Sequence, residues 1–392
     1  LPKSVEIHDI TLRDGEQQAG IVFRKDEKIQ IANLLAEIGV QRIEAGLPAV
    51  SSQDEEAVRE IAHLRLGPKI FSFSRCMRND VDTARKCDVD GVVMEIPSSS
   101  HILKYAYGWL DQKAIDLSID ATDYAHKYGL EVVFFTIDST RATFANFWTL
   151  VNSVAKSGHM DSLVLVDTFG VCSPQAIGHF VDLVKRKKIN KPLEIHCHND
   201  FGLAVANTVA AVTHGINVVH TTVNGIGERM GNASLGEVAL ALEYLYGVKT
   251  GLDLTKLTKI SQMVSKLSKV PVPPNYPAVG QGAFKIESGI IAGWWSKVEP
   301  RGMVTEIFPY RPECVGNDPI EVVLGKKSGR DSIIYMLRKL NLKAGDDSQI
   351  DRILLAVKEK SLETKRNITL EEFEEILSNL HMNPTKASTL SQ

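Results

Sequence analysis

The stretch SLVLVDTFGVCSPQAIGHFVDLVKRKKINKPLEIHCHND, residues 162–200, holds two short runs, SLVLVDT and LEIHCHND, separated by a helical stretch. Two β-branched runs joined through a helix read as a βαβ unit with parallel strands. Working outward in both directions, the unit repeats. Further runs begin near Val5 (VEIHDITL), Arg42 (RIEAGLP), Lys69 (KIFSFSR), Gly91 (GVVMEIP), Leu130 (LEVVFFTI) and Val218 (VVHTTVN). Eight such units over about 250 residues predict a closed (β/α)8 barrel in preference to an open doubly wound sheet. The intervening stretches carry helical periodicity: in Lys25–Ile38, the side chains of Ile29, Ile31, Leu34, Leu35 and Ile38 can share one face.

The pattern changes near Gly251. PVPPNYPAVGQGAF, residues 271–284, is rich in Pro and Gly and reads as a linker. Beyond it, Ser328–Leu340 and Asp351–Ser361 are amphipathic, and Thr369-Leu370-Glu371-Glu372 has capping-box spacing ahead of Phe373, Ile376, Leu377 and Leu380. The expected organisation is a barrel over 1–268, a linker and mainly helical C-terminal subdomain over 269–382, and a mobile tail over 383–392.

Composition narrows the function classes. The 392 residues are 44% hydrophobic and 24% charged, with a formal net charge of −3. Such balance offers no general attraction to a phosphate backbone, so nucleic acid is not an expected partner. No apolar run approaches the ~20 residues that cross a bilayer, and no signal peptide is legible at the start. Five cysteines without a CxxC fit a reducing, cytoplasmic compartment.

In a barrel of this kind chemistry belongs at the C-terminal ends of the strands. Strand one runs into Arg13-Asp14-Gly15-Glu16-Gln17, strand seven into His196-Cys197-His198, and strand eight into the Gly-rich loop Asn224–Asn232. Two histidines separated by one strand residue point the same way, so they can share one cation. Asp14 adds an anionic oxygen. Alone, a His-x-His pair is commonly a packed or surface pair, and Arg13–Asp14 a local ion pair. The three clusters gain meaning because strands one, seven and eight adjoin once the barrel closes.

With these residues in place, the runs DITLRDGEQQAG, RIEAG, VDTFGV, IHCHND and NGIGERMGN resemble the DRE-TIM metallolyases. Within that superfamily the chain resembles the homocitrate and 2-isopropylmalate synthases most, from about Glu6 to about Arg330, through PAVGQGAFKIESGI and LGKKSGR. The resemblance implies a homodimeric enzyme condensing an acyl-CoA, usually acetyl-CoA, with a 2-oxo acid around one divalent ion. Mg²⁺, Mn²⁺, Co²⁺ and Zn²⁺ all remain open. It implies that Asp14, His196 and His198 hold the metal, with Asn232 at or near it. Arg13 would stabilise the enolate or alkoxide oxygen, and Thr168 would bind the 2-oxo acid carboxylate. Gln17 and Glu44 match polar positions close by, and Tyr310 a tyrosine of the extension.

The chain also departs from that pattern. Ile137 in FFTIDSTR stands where the synthases carry a glutamate. Ile286 and Ile291 replace two histidines, and Lys327 replaces a third. Isoleucine takes no proton at any pH, so the acid–base apparatus for deprotonating the acetyl methyl group is absent as written. Met77 stands where homocitrate synthases place a histidine for the distal carboxylate; Arg78 beside it can receive an anion instead. Glu287, Lys327, His101 and His220 remain ionisable candidates, and Trp294-Trp295 could cover an apolar substrate. A lyase or aldolase on the same metal platform, cleaving a 2-hydroxy acid or its CoA thioester, is the alternative reading, since it needs no methyl deprotonation.

Overall fold

The computed structural model describes residues 1–343 and 345–380; the tail expected over 383–392 lies outside the described residues. Eight parallel strands close into a barrel in sequence order: β1 (Glu6–Asp9), β2 (Arg42–Glu44), β3 (Lys69–Arg75), β4 (Gly91–Pro97), β5 (Glu131–Ile137), β6 (Ser162–Asp167), β7 (Leu193–Cys197) and β8 (Val218–Thr221). Each run read from the sequence supplies one strand. The seam closes between β1 and β8, where Glu6 to Asp9 pair with Val218 to Thr221 residue for residue. This makes strands seven, eight and one neighbours, as the clustered motifs require.

The helices form where a stripe of apolar residues meets the barrel wall. In Lys25–Ile38, the side chains of Ile31, Leu35 and Ile38 are buried, and Gly39 ends the helix in the left-handed region at φ 97°. One residue on that face breaks the apolar expectation. Lys28 is 2% exposed because its Nζ sits 2.6 Å from Glu16 and 2.7 Å from Asp54. Buried charge of this kind persists when it is paired.

Alternation along the strands sorts the lumen into two halves. Phe71, Phe73, Val93, Val133, Phe135, Val164 and Val166 pack together on the β3–β6 side. Opposite them, on β7, β8, β1 and β2, stand Glu194, His196, His220, His8 and Glu44, each no more than 1% exposed. So much buried polarity in a barrel core demands partners, and the partners define the site.

The chain divides into two compact units, Leu1–Val272 and a second beginning at Pro273. The second unit contains a helix at Gly289–Val298, to which the sequence reading assigned no element, then helices Arg330–Lys339, Asp347–Thr364 and Leu370–Asn379. The middle of these starts earlier than its periodicity suggests, because Asp346 and Gln349 form a capping box. The capping box at Thr369 and Glu372 is present: Glu372 N donates to Thr369 Oγ1 and Thr369 N to the Glu372 carboxylate. No helix among the described residues is long and apolar enough to cross a membrane.

Candidate metal centre

After β1 the backbone turns sharply, with the amides of Arg13, Asp14 and Gly15 all donating to Ile10 O. That turn carries Asp14 across the barrel mouth toward β7. Asp14 Oδ2 lies 3.7 Å from His196 Nε2 and 3.6 Å from His198 Nε2, and the two Nε2 atoms are 3.1 Å apart. The three residues are at most 4% exposed. Three donors at these separations can surround one ion at the ~2.0–2.2 Å distances of imidazole and carboxylate ligands.

The loop after β8 fixes the carboxylate. Asp14 Oδ1 accepts from Asn232 Nδ2 at 2.8 Å and from Glu228 N at 3.1 Å. Asn232 Oδ1 is buried without a partner among the described residues, as are Nδ1 of His196 and of His198. Gly227 is indispensable to this packing: a Cβ there would lie 2.0 Å from Asn232 Nδ2 and 2.6 Å from Asp14 Oδ1. Burial pushes the Asp14 carboxyl up, but Arg13, His198, Asn232 and the Glu228 amide together hold it below the usual range. Burial, then the neighbouring histidines, push His196 well below its ordinary value. An anionic oxygen beside a neutral imidazole is a competent donor set for a divalent cation.

Arg13 bridges the polar and apolar halves of the lumen. Its Nε donates to Glu44 Oε1, and its Nη1 donates to Asp14 Oδ2 at 3.0 Å and Gln17 Oε1 at 3.1 Å. The guanidinium carbon sits 3.9 Å over the Phe73 ring. Burial opposes the charge, yet Glu44 and Asp14 outweigh it and raise the Arg13 pKa. Nη2 has no partner among the described residues. Arg13 and Gln17 also line a cavity of about 280 Å³ whose walls include Leu12, Ile21, Leu47 and Val50.

Residues 4–264 match the model of the HMGL-like family. The chain belongs to the HMGL-like family. Among its relatives, a probable 2-isopropylmalate synthase of Ignicoccus hospitalis is 41% identical, over 91% of this chain and 88% of that protein. A homocitrate synthase of Methanopyrus kandleri is 40% identical over 97% and 93% respectively. An (R)-citramalate synthase of Methanocaldococcus jannaschii is 40% identical over 91% and 70%. The crystal structure of the HMG-CoA lyase of Bacillus subtilis superposes with a TM-score of 0.63, covering 69% of this chain and 96% of that one; at 20% identity this is a likeness of fold.

Within this HMGL-like barrel the other expected residues divide. Gln17 and Glu44 contact Arg13 directly, as above. Thr168 follows β6, and its hydroxyl accepts from Asp138 N at 2.8 Å. Arg78 opens the helix after β3, where its Nε donates to Asp120 at 2.8 Å and its guanidinium stacks over Tyr124, both on helix Asp111–Lys127. A carboxylate in the helical layer already occupies the cation expected to receive an anion. Tyr310 lies in the second unit, edge-on to Phe284. Ile286, Ile291 and Trp295 pack into an apolar cluster of that same unit, whereas Trp294 is 42% exposed. Glu287 accepts from the Lys327 amide, and His101 is exposed.

Sequence reasoning missed three residues of the lumen. Glu194 precedes His196 by two and so shares its face, and His8 on β1 pairs with His220 across the seam. Glu95 on β4 shares the inward face of Val93; burial pushes its carboxyl up to about 7, against the pull of Arg13 and Arg75. It makes no side-chain hydrogen bond or ion pair among the described residues. Period-two alternation, applied to polar residues inside the strands as well as at their ends, is the signal that finds all three.

Proposed function

We propose that this chain condenses an acyl-CoA, acetyl-CoA foremost, with a 2-oxo acid in the barrel mouth and releases free CoA. The observation that carries the reading is the convergence of Asp14, His196 and His198 beside a buried Arg13, in a chain about 40% identical to condensing synthases over most of its length. Asp14, His196 and His198 would hold a divalent ion, with Asn232 Oδ1 beside it, and that ion would supply Lewis acidity to the 2-oxo acid carbonyl.

Arg13 is already charged and fixed by Glu44, Asp14 and Gln17 before substrate arrives, so it needs no reorganisation to stabilise negative charge developing on oxygen. Its free Nη2 is the donor available for that task. Phe73 and Phe135 wall the site against water and strengthen the interaction. The Thr168 hydroxyl proton remains free to reach a carboxylate oxygen. Residues 1–268 would form the catalytic barrel and residues 269–382 an accessory subdomain, in a homodimer working in the cytoplasm.

A mass-spectrometric product screen tests the reading: several 2-oxo acids crossed with acetyl-CoA and propionyl-CoA, with Mg²⁺ or Mn²⁺ and an EDTA control. A condensation product and free thiol that vanish with EDTA support it. Cleavage of a 2-hydroxy acid or its CoA thioester, without condensation in any combination, overturns it in favour of a lyase.

A further inference from the structure

Beneath the mouth, the polar half of the barrel holds a second convergence. His8 on β1, Glu194 on β7 and His220 on β8 meet in the lumen at no more than 1% exposure. Each offers one donor atom, and the three atoms lie within 4.8 Å of one another. His220 Nε2 is 2.8 Å from Glu194 Oε2, and His8 Nδ1 is 3.7 Å from the same oxygen. The strand registers make this meeting. His8 pairs with His220 across the seam, and Glu194 pairs with Val218, two residues before His220, so all three share the inward face.

The carboxylate is held ready by its other oxygen. Glu194 Oε1 accepts from Arg42 Nη1 at 2.9 Å and Ser162 Oγ at 2.6 Å, which leaves Oε2 facing the imidazoles. His8 is the unexplained member. Neither of its ring nitrogens has a hydrogen-bond partner among the described residues, nor does His220 Nδ1. Leaving a buried polar group unpaired costs about 1–3 kcal/mol. Burial first, and His220 second, push the His8 pKa down to about 3, so the ring is neutral and its lone pair available. On its far side, His8 Nε2 stands 3.9 Å from Glu44 Oε2, itself without a partner. A carboxylate behind an imidazole is the usual support of a metal-binding histidine.

We propose that His8, Glu194 and His220 form a second cation site, taking a transition-metal dication of the Zn²⁺ or Co²⁺ type and pinning the seam where the last strand meets the first. Two imidazoles and one carboxylate suit Zn²⁺ or Co²⁺ better than Mg²⁺, which prefers oxygen and water. Glu194 and His196 are two residues apart on β7, about 7 Å at strand rise, so one ion cannot serve both clusters. The site is sealed from solvent and carries no reacting group, which makes its role structural: it joins three strands, β7, β8 and β1, through side chains at the closure.

The test is metal stoichiometry on the full chain, equilibrated with Zn²⁺ or Co²⁺ and measured by elemental analysis. The Asp14→Asn/His198→Asn double variant disables the upper cluster. We expect two equivalents in the unaltered protein, one in the double variant, and none once His8→Phe is added. Phenylalanine keeps an aromatic ring beside Phe71, whose centroid is 5.1 Å away; His220→Gln serves where His8→Phe fails to fold by circular dichroism. Zn²⁺ should raise the Tm of the double variant and not that of the triple. One equivalent in the unaltered protein and none in the double variant overturns the proposal, leaving His220 and Glu194 as a plain hydrogen-bonded pair. Catalytic activity enters none of these readings, so the proposal stands or falls apart from the condensation reaction.

Discussion

Glu44 on β2, fully buried, accepts the Nε hydrogen bond of Arg13 and is the anion that keeps this guanidinium inside the barrel. Glu44→Ala leaves the buried cation with Asp14 as its remaining close carboxylate, and removing one partner of a buried pair costs up to about 3–5 kcal/mol. Urea denaturation should show that loss, with Glu44→Gln distinctly milder because its amide oxygen still accepts. An unchanged midpoint for Glu44→Ala would mean that Asp14 and Gln17 suffice to hold Arg13.

Gly227 allows the loop after β8 to lie against the Asp14–His196–His198 cluster. A Cβ at this position collides with Asn232 and Asp14, and the backbone φ of 153° is itself one that L residues rarely adopt. Gly227→Ala should therefore weaken divalent-ion binding at the upper cluster by roughly 10–100-fold, the usual cost of disturbing a ligand's support. Calorimetric titration with Mn²⁺ measures it. Affinity equal to that of the unaltered chain would remove Asn232 from the site.

Asp9, on the outward face of β1, is fully buried, and burial pushes its carboxyl up to about 7 despite hydrogen bonds from Thr11. Between about pH 4 and 7 the unfolded chain has lost this proton while the folded chain keeps it, so stability falls as pH rises through that window. Asp9→Asn abolishes the penalty. It should stabilise the protein by about 2–3 kcal/mol more at pH 8 than at pH 5, which urea melts at the two pH values will show. An equal effect at both would remove titration as the cause.

Glu95 is a carboxyl in the lumen with no hydrogen bond or ion pair among the described residues, and burial pushes it up to about 7. We propose Glu95 as the proton acceptor of the condensation; a base must be anionic, so kcat/KM should fall as pH drops below 7. Glu95→Gln should flatten that limb and lower the plateau by about 10²–10⁴-fold, the range of general acid–base contributions. If the limb survives the substitution, another group takes the proton.

Much of this was legible before any coordinates. The eight strand runs and their parallel order follow from local patterning, because β-branched runs bounded by helical stretches have few other arrangements. Asp14, His196 and His198 were legible as well, since strand ends in a barrel face one mouth. The partner of Arg78 was not legible, because a sequence does not display it: Asp120, 42 residues further on, becomes its neighbour through helix packing alone. The start of helix Asp347–Thr364 was missed because its signal lies in a cap rather than in apolar periodicity.

By itself, the sequence determined the number and order of strands and which side chains stand at their ends, since these depend on backbone geometry and alternation within a few residues. Tertiary structure alone decided that the lumen separates into an apolar and a polar half, and that His8, Glu194 and His220 converge beneath the mouth. Those outcomes depend on which strands become neighbours across the closing seam, and register between residues 6 and 218 is a property of the closed ring that no local stretch encodes.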